Sequence, residues 1–175
     1  MRRASVLAIL ASGVTALAGR PAQAQWASRP ADAGRRPPIA RTAELPPAQD
    51  LAADAAASAR GRLPILLFFD RDDCPYCERA LREYVVPFSR EEWKGKALFR
   101  QVAIDRTLPV RDFDGTVTTH KALAERYGVI FSPTILVIDG RGRKLAEPIV
   151  GLTTLDFYGA YVHDALASGA RKLRA

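Results

Sequence analysis

A short apolar run, L-P-I-L-L-F-F at residues 63–69, constrains the fold more than any other feature of the sequence. It has the length of a strand and no polar side chain, which predicts a strand covered on both faces, as in a parallel-type central sheet. The C-P-Y-C motif at residues 74–77 follows soon after the run. Residues 78–84 favour a helix, so we expect the cysteines where a buried strand meets the start of a helix. Pro87 is expected to kink or end that helix.

Helical and strand-like patterns alternate along the rest of the chain. The predicted elements, in order, are a helix at 48–60, the strand at 63–69, the helix that begins at the cysteines, a strand at 97–104, a helix at 118–127, a strand at 135–138, a returning strand at 144–150 and a helix at 155–166. This order predicts a three-layer α/β domain in which a mixed central β-sheet is flanked by helices.

The residues before this domain have a different character. Residues 1–24 combine two early arginines with an apolar run and a small-residue A-Q-A site, which is typical of a cleaved export signal. The apolar run is shorter than the roughly 20 residues of a spanning helix. Residues 25–47 are rich in Ala, Pro and Arg, which predicts a disordered arm, and residues 48–175 are assigned to the domain. We therefore expect a periplasmic protein, in a compartment where disulfides persist.

Charge and cysteine content exclude two classes of protein. The net charge of +7 includes three arginines of the predicted signal, so the mature chain carries 7 − 3, or +4. No basic stripe interleaved with aromatic residues accompanies this excess, so we expect no binding of nucleic acid. Two cysteines among 175 residues do not make a disulfide scaffold, and packing must hold the fold.

The cysteine pair has the pattern of a reactive dithiol. Cys74 is predicted at a helix start, where unpaired N–H groups and the helix dipole stabilise a thiolate. Thiols of C-x-x-C motifs at such places have pKa values lowered from about 8.5 to roughly 3.5–7.5. Cys77, one turn later, can resolve a mixed disulfide formed at Cys74. Pro75 in the first turn removes an N–H that has no helical partner.

Three other roles for the cysteine pair compete with redox exchange. A structural disulfide would close a very small loop and add little rigidity. A zinc site normally needs four ligands, and His120 and His163 are isolated on predicted helices, so we expect neither a metal nor a cofactor. A cluster bridging two chains would need a dimer or external thiols. The pattern favours redox exchange.

Four further side chains are interpreted as structural. Trp93 is predicted to pack the polar stretch after Pro87 onto the core, and Tyr158 and Tyr161 to pack a helix. His120, near a helix start, is expected at the surface or in a capping role.

Together these features resemble the thioredoxin superfamily over residues 63–166. The resemblance rests on the apolar strand leading into C-P-Y-C, on Y-G-V-I-F-S-P-T at 127–134 and on V-G-L-T-T at 150–154. It implies a thioredoxin fold and a thiol-disulfide oxidoreductase with Cys74 and Cys77 as catalytic residues. It also implies a cis bond before Pro133 and a substrate strand held at Ser132.

The motif and its surroundings resemble more than one subfamily of the thioredoxin superfamily. The Pro75-Tyr76 pair, also assigned to substrate binding, looks like glutaredoxins and some periplasmic disulfide isomerases. Export and the inserted stretches look more like exported thioredoxin-related proteins. Thioredoxins carry a buried Asp six residues before the first cysteine, as proton acceptor for the second, and Phe68 stands there instead. We expect either that Glu78 or a water replaces it or that proton transfer is slower, and we expect Cys77 to titrate without coupling to a buried acid.

The predicted function is exchange of disulfides with protein thiols by a monomer that has a membrane or periplasmic redox partner. Two alternatives remain open: a glutaredoxin-like reductase that uses glutathione, and a non-catalytic peptide-binding module with an inert disulfide. The direction of electron flow is also open, because acids and arginines both flank the cysteines.

Overall fold

The computed structural model describes residues 44–175, and the predictions for residues 1–43 lie outside this part of the chain. Its elements in chain order are α1 (Leu51–Gly61), β1 (Ile65–Asp70), α2 (Pro75–Ala80), a π-helical turn (Leu81–Val85), α3 (Val86–Arg90), β2 (Leu98–Ala103), β3 (Pro109–Arg111), β4 (Val117–Thr119), α4 (His120–Arg126), β5 (Thr134–Ile138), β6 (Ile149–Val150) and α5 (Leu155–Arg174).

The central sheet has four strands in the order β2-β1-β5-β6. β1 runs parallel to β2 and antiparallel to β5, and β6 pairs antiparallel with β5. All six residues of β1 are buried. The predicted α/β class with a mixed sheet is therefore confirmed, and the apolar run is its central strand.

Alternation along β1 divides the core into two halves. Leu66 and Phe68 face the side covered by α2 and α5. Ile65, Leu67 and Phe69 face the other side, where α1 and α4 pack. Helices on both faces of the sheet make the three predicted layers.

The helical region after the cysteines is longer than predicted. Pro87 does not end it, because the chain stays helical through this residue to Arg90. The π-helical turn precedes α3, and Pro87 lies in the first turn of α3. Proline has no N–H to continue the helical hydrogen bonds, and the π-helical turn directly before α3 is one of the ways in which a helix accommodates such an interruption. Trp93, beyond the helix, is buried in the core as predicted.

A two-stranded hairpin of β3 and β4 occupies a region that the sequence indicated as loop. Val110, which pairs with Thr118, is its buried residue. The loop between the strands is held by Asp112, whose buried carboxylate accepts hydrogen bonds from Arg126 and from the Phe113 N–H. The Arg126 guanidinium holds the pKa of Asp112 below its usual range.

The packed structure begins before Ala48. Residues 44–50, which we name the strap, run beside β2. Leu45 is buried, and its N–H donates to the side-chain carbonyl of Gln101 at 3.0 Å. The Gln101 N–H donates to the Pro46 carbonyl, and the Ala48 N–H donates to the Gln101 carbonyl. Residues 44–47 thus belong to the packed structure rather than to the arm, because backbone pairing leaves no trace in composition.

His120 was expected at the surface or as a cap, and this is wrong. It is 2% exposed, and Thr119 is the N-cap of α4. The ring Nδ1 accepts a hydrogen bond from the Ala103 N–H at 3.0 Å, so Nε2 carries the proton that it donates to the Ala48 carbonyl at 2.8 Å. His120 therefore links the end of β2 to the strap, and burial lowers its pKa.

The closing helix extends past its predicted end to Arg174. Tyr158 is buried on the predicted stripe, whereas Tyr161 is about half exposed, so the packing interpretation holds only for Tyr158. The returning strand is reduced to β6 and an isolated bridge at Lys144. Within residues 44–175 no helix is long and apolar enough to span a membrane.

Candidate active site

The two cysteines form a disulfide at the start of α2. The sulfurs are 2.04 Å apart and the Cα atoms 5.2 Å apart. Cys74 is the N-cap: its Sγ accepts a hydrogen bond from the Cys77 N–H at 3.2 Å. Pro75 is the first residue of the helix, as predicted. Asp73, with a φ of 53°, makes the turn that brings the chain from β1 into this helix.

The two sulfurs differ in their access to solvent. Cys74 is partly exposed, whereas Cys77 is 2% exposed beneath the helix. A thiolate that approaches from solvent can therefore reach Cys74 and not Cys77. This is the arrangement that an attacked and a resolving sulfur require.

Ser132 and Pro133 lie beside the disulfide although they are far from it in sequence. The Ser132 hydroxyl donates to Cys74 Sγ at 3.7 Å. The Ser132–Pro133 peptide bond is cis, and Pro133 is buried. The Pro133 carbonyl accepts a hydrogen bond from the Gly151 N–H at 2.7 Å. The segment before β5 is thus fixed against the cysteine loop.

Three large apolar side chains surround this point. Tyr76, between the cysteines, is 65% exposed, and Ile130 and Phe131, just before Ser132, are 77% and 63% exposed. We name these three residues the apolar rim. Exposed aromatic and aliphatic side chains grouped on a soluble domain are typical of a surface that binds a protein or a ligand.

An ion pair fixes the loop before Cys74. The Arg106 guanidinium donates to both carboxylate oxygens of Asp72 at 2.6 Å. The Asp72 N–H donates to the Asp105 carboxylate at 3.0 Å. The hydrogen bonding that Arg106 donates to Asp72 is the main cause that raises the pKa of Arg106. Asp72 is one of the acids that flank the cysteines, and the positive charge of Arg106 lies against its carboxylate.

A crevice of about 10 Å³ opens beside the cysteines, about the space that one water needs. It is lined by Asp70, Arg71, Asp73, Cys74, Cys77, Glu78 and Leu81. Asp70 is 1% exposed, and the Gln101 side-chain N–H donates to its carboxylate at 2.6 Å. Sequence reasoning considered Glu78 here and missed Asp70. The signal was available, since residues 68 and 70 of one strand share a face.

Other cavities lie away from this chemistry. A groove of about 830 Å³ between residues 144–153 and α5 contains neither cysteine. In the described part of the chain, no three His, Cys, Asp or Glu side chains are grouped so as to hold a metal ion.

Comparison with known proteins gives a family and a fold. A family model described as a thioredoxin-like domain matches residues 51–165. No curated protein matches the chain. The fold is similar to that of a poplar thioredoxin h mutant, with 12% identity, a TM-score of 0.50, and coverage of 76% of this chain and 88% of that one.

Two further solved structures are similar at lower scores. Thioredoxin from Fasciola hepatica has 14% identity and a TM-score of 0.48, with 70% of this chain and 97% of that one covered. The periplasmic thioredoxin SoxS from Paracoccus pantotrophus, in its reduced form, has 16% identity and a TM-score of 0.42, with 60% and 97% covered.

The family match includes β1, both cysteines and Pro133, and it leaves out the strap and the C-terminal part of α5 among the described residues. The likeness to the poplar protein is a likeness of fold. The chain belongs to the thioredoxin-like domain family and has a thioredoxin fold with a C-x-x-C disulfide.

Proposed function

We propose that the protein is an exported thiol-disulfide oxidoreductase that exchanges disulfides with protein thiols through Cys74 and Cys77. One observation carries the proposal: the disulfide caps a helix with one accessible sulfur and one buried sulfur. Thioredoxin-fold proteins with a C-x-x-C pair are generally thiol-disulfide oxidoreductases, and this pair has the geometry that such exchange requires.

In the reductive direction, the Cys74 thiolate attacks one sulfur of a substrate disulfide. This forms a bond between Cys74 and that sulfur, and the other substrate sulfur leaves as a thiolate that takes a proton from water. Cys77 then loses its proton and attacks Cys74 Sγ, which forms the observed disulfide and releases the second substrate thiolate. Two electrons pass to the substrate, and the oxidative direction is the reverse.

The residues around Cys74 favour a polypeptide substrate. Among residues 44–175 the backbone of Ser132 makes no hydrogen bond, and its hydroxyl faces Cys74. An extended segment can therefore pair with the Ser132 backbone while its side chains contact the apolar rim. Pro75 and Tyr76 complete this surface from the other side of the disulfide. A monomer presents the whole surface.

Export rests on residues 1–24, whose arginines, apolar run and A-Q-A site have the pattern of a cleaved signal. In the periplasm the pair would draw or deliver electrons through a membrane or periplasmic redox partner. Cell fractionation of the full chain tests this part. A full-length product that stays in the cytoplasm contradicts it.

Paired cysteine variants test the exchange reaction, with insulin as a defined protein disulfide. We expect Cys77→Ala to form an adduct with an insulin chain that a reducing agent dissolves, because the resolving thiol is gone. Cys74→Ala is the matched control, since it also keeps one thiol, and it should form no adduct.

The alternatives give different results in this experiment. An adduct of Cys77→Ala with glutathione, formed by attack of Cys74 on glutathione disulfide with release of one glutathione thiolate, but no adduct with insulin, indicates a glutaredoxin-like reductase. No adduct with either indicates a binding module with an inert disulfide. An insulin adduct only on Cys74→Ala reverses the assigned roles of the two cysteines.

A further inference from the structure

The core beneath the cysteines contains an acid at an unexpected position. Phe68 is fully buried among apolar side chains. Asp70 lies two residues further along β1 on the same face, about 6.6 Å closer to the loop that carries the cysteines. It ends the strand, and it is 1% exposed. A buried carboxyl group at this point requires a physical reason, because burial of a charge is unfavourable.

Gln101 of β2 fixes the orientation of this carboxyl group. Its side-chain N–H donates to Asp70 Oδ2 at 2.6 Å, and its side-chain carbonyl accepts from the Leu45 N–H at 3.0 Å. The amide oxygen of Gln101 is bound to the Leu45 N–H, so the amide nitrogen is the end that faces Asp70. The strap holds Gln101, and Gln101 holds Asp70.

Several charged residues line the same crevice as Asp70. Glu78 approaches from α2, and Arg71 and Asp73 approach from the loop before the helix. The cation of Arg106, in the loop after β2, also interacts with Asp70. This mixed environment is compatible with a carboxyl group that changes its protonation state during a reaction.

Asp70 shares its crevice with Cys77, whose thiol must lose a proton when it acts. We propose that Asp70 accepts the proton of Cys77 during resolution, directly or through one water, and that Gln101 is the positioning residue that holds it there. This rests on the proposed exchange reaction. The proton passes from Cys77 Sγ to the carboxylate as Cys77 attacks Cys74, and from the carboxyl group to the departing thiolate or to water.

Asp70 suits this role better than Glu78 does. Asp70 is anchored at the end of the central strand and is bound to a fixed amide. Glu78 lies on α2 and is less buried than Asp70. The proposal differs from the expectation that Cys77 titrates without coupling to a buried acid, and the experiment below distinguishes the two.

The reaction of the reduced protein with Ellman's reagent, 5,5′-dithiobis(2-nitrobenzoate), tests the proposal. Attack by Cys74 releases one thionitrobenzoate, and attack by Cys77 on the resulting mixed disulfide releases the second. Stopped-flow absorbance therefore reports the two cysteines separately. We expect Asp70→Asn to slow the second phase at least about tenfold near neutral pH, because general base catalysis contributes at least about a hundredfold in full.

The pH profile and the companion variants define the outcome. Asp70→Asn should move the rise of the second phase to higher pH, and Gln101→Leu should do so partly. Glu83→Gln, an exposed carboxylate change on the same helical region, is the control and should leave both phases unchanged. A second phase that is slowed more by Glu78→Gln than by Asp70→Asn overturns the proposal.

A second measurement decides the matter if the Asp70→Asn variant does not fold. An Asn at position 70 can still accept the Gln101 hydrogen bond, which favours folding. If that variant does not fold, carbon-13 NMR titration of the Asp70 carboxyl group in the wild type decides: the proposal requires its titration to differ between the oxidised and reduced states, and identical titrations overturn it. A wild type that lacks the first phase refutes the proposed function instead.

Discussion

Acid should destabilise the fold through His120. The ring is buried, its Nδ1 accepts from the Ala103 N–H, and its Nε2 donates to the Ala48 carbonyl. Protonation would place a second N–H against the Ala103 N–H, so the folded state holds the ring neutral. Burial lowers the pKa of His120 below the usual 6.5, and the hydrogen bond to Ala48 opposes this only in part.

The sign of the effect follows from the direction of this shift. The unfolded chain binds a proton at about pH 6.5, whereas folded His120 binds it only at lower pH. Stability from the neutral ring is therefore complete above this pH and decreases as the pH falls through it. With the folded ring fully neutral, the loss reaches about 1.4 kcal/mol by about pH 5.5 relative to high pH.

Urea unfolding of the oxidised protein at about pH 7.5 and about pH 5.5 measures this loss. We expect His120→Gln to be less stable than the wild type at the higher pH, because it gives up a buried hydrogen bond. Between the two pH values, the free energy of unfolding of His120→Gln should fall by less than that of the wild type, and the difference should be up to about 1.4 kcal/mol.

The other histidine provides the control. His163 lies partly exposed on α5 beside Glu92, and it bonds no buried backbone group. His163→Gln should keep the wild-type loss of stability between the two pH values. If the wild type and His120→Gln lose equal free energy on acidification, the assignment to His120 is refuted.

Three more substitutions test the packing and the charges. Trp93→Ala should lower the free energy of unfolding by about 3–5 kcal/mol in urea, because it empties a core site, and a loss under about 1 kcal/mol would contradict the core position. Asp112→Asn should lower it by about 1.5–3 kcal/mol through loss of its charged hydrogen bonds, and a change confined to pH values below the Asp112 titration would contradict this. Arg106→Gln should lower it by less than about 1 kcal/mol, since the ion pair is exposed. It should also slow alkylation of reduced Cys74 by iodoacetamide near neutral pH, because the Asp72 charge then opposes the thiolate; an unchanged or faster rate contradicts this.

The sequence predicts the parts of the fold that depend on uniform local patterns. The apolar run around β1 is continuous, so its central position follows from composition alone. The helix start at Cys74 follows from the proline and from the helix-favouring residues after it. Alternation of strands and helices then indicates the layer arrangement.

The rest depends on contacts between distant segments. Strands β3 and β4 have three residues each, too few for an alternating pattern. The strap pairs through its backbone, which no side-chain pattern records. Histidine is intermediate between the buried and the exposed residue types, so only the two backbone partners of His120 explain its full burial.

The residues of the candidate site also differ in how far local sequence predicts their positions. The cysteines could be placed from the sequence because they follow the central strand directly. Their proximity to Ser132 could be predicted only from the resemblance to a family, since the residues are 58 positions apart. Asp70 does not occupy the position of the buried acid of thioredoxins, where Phe68 stands, so the family pattern does not indicate it, although both residues share a face of β1.

The most direct test of the account is the redox equilibrium of the Cys74–Cys77 disulfide in glutathione buffers, with insulin turnover measured on the same protein. We expect a reduction potential between about −270 and −120 mV, the range of thiol-disulfide oxidoreductases, together with turnover. A potential below about −300 mV without turnover would mean that the disulfide is structural and would contradict the proposed function.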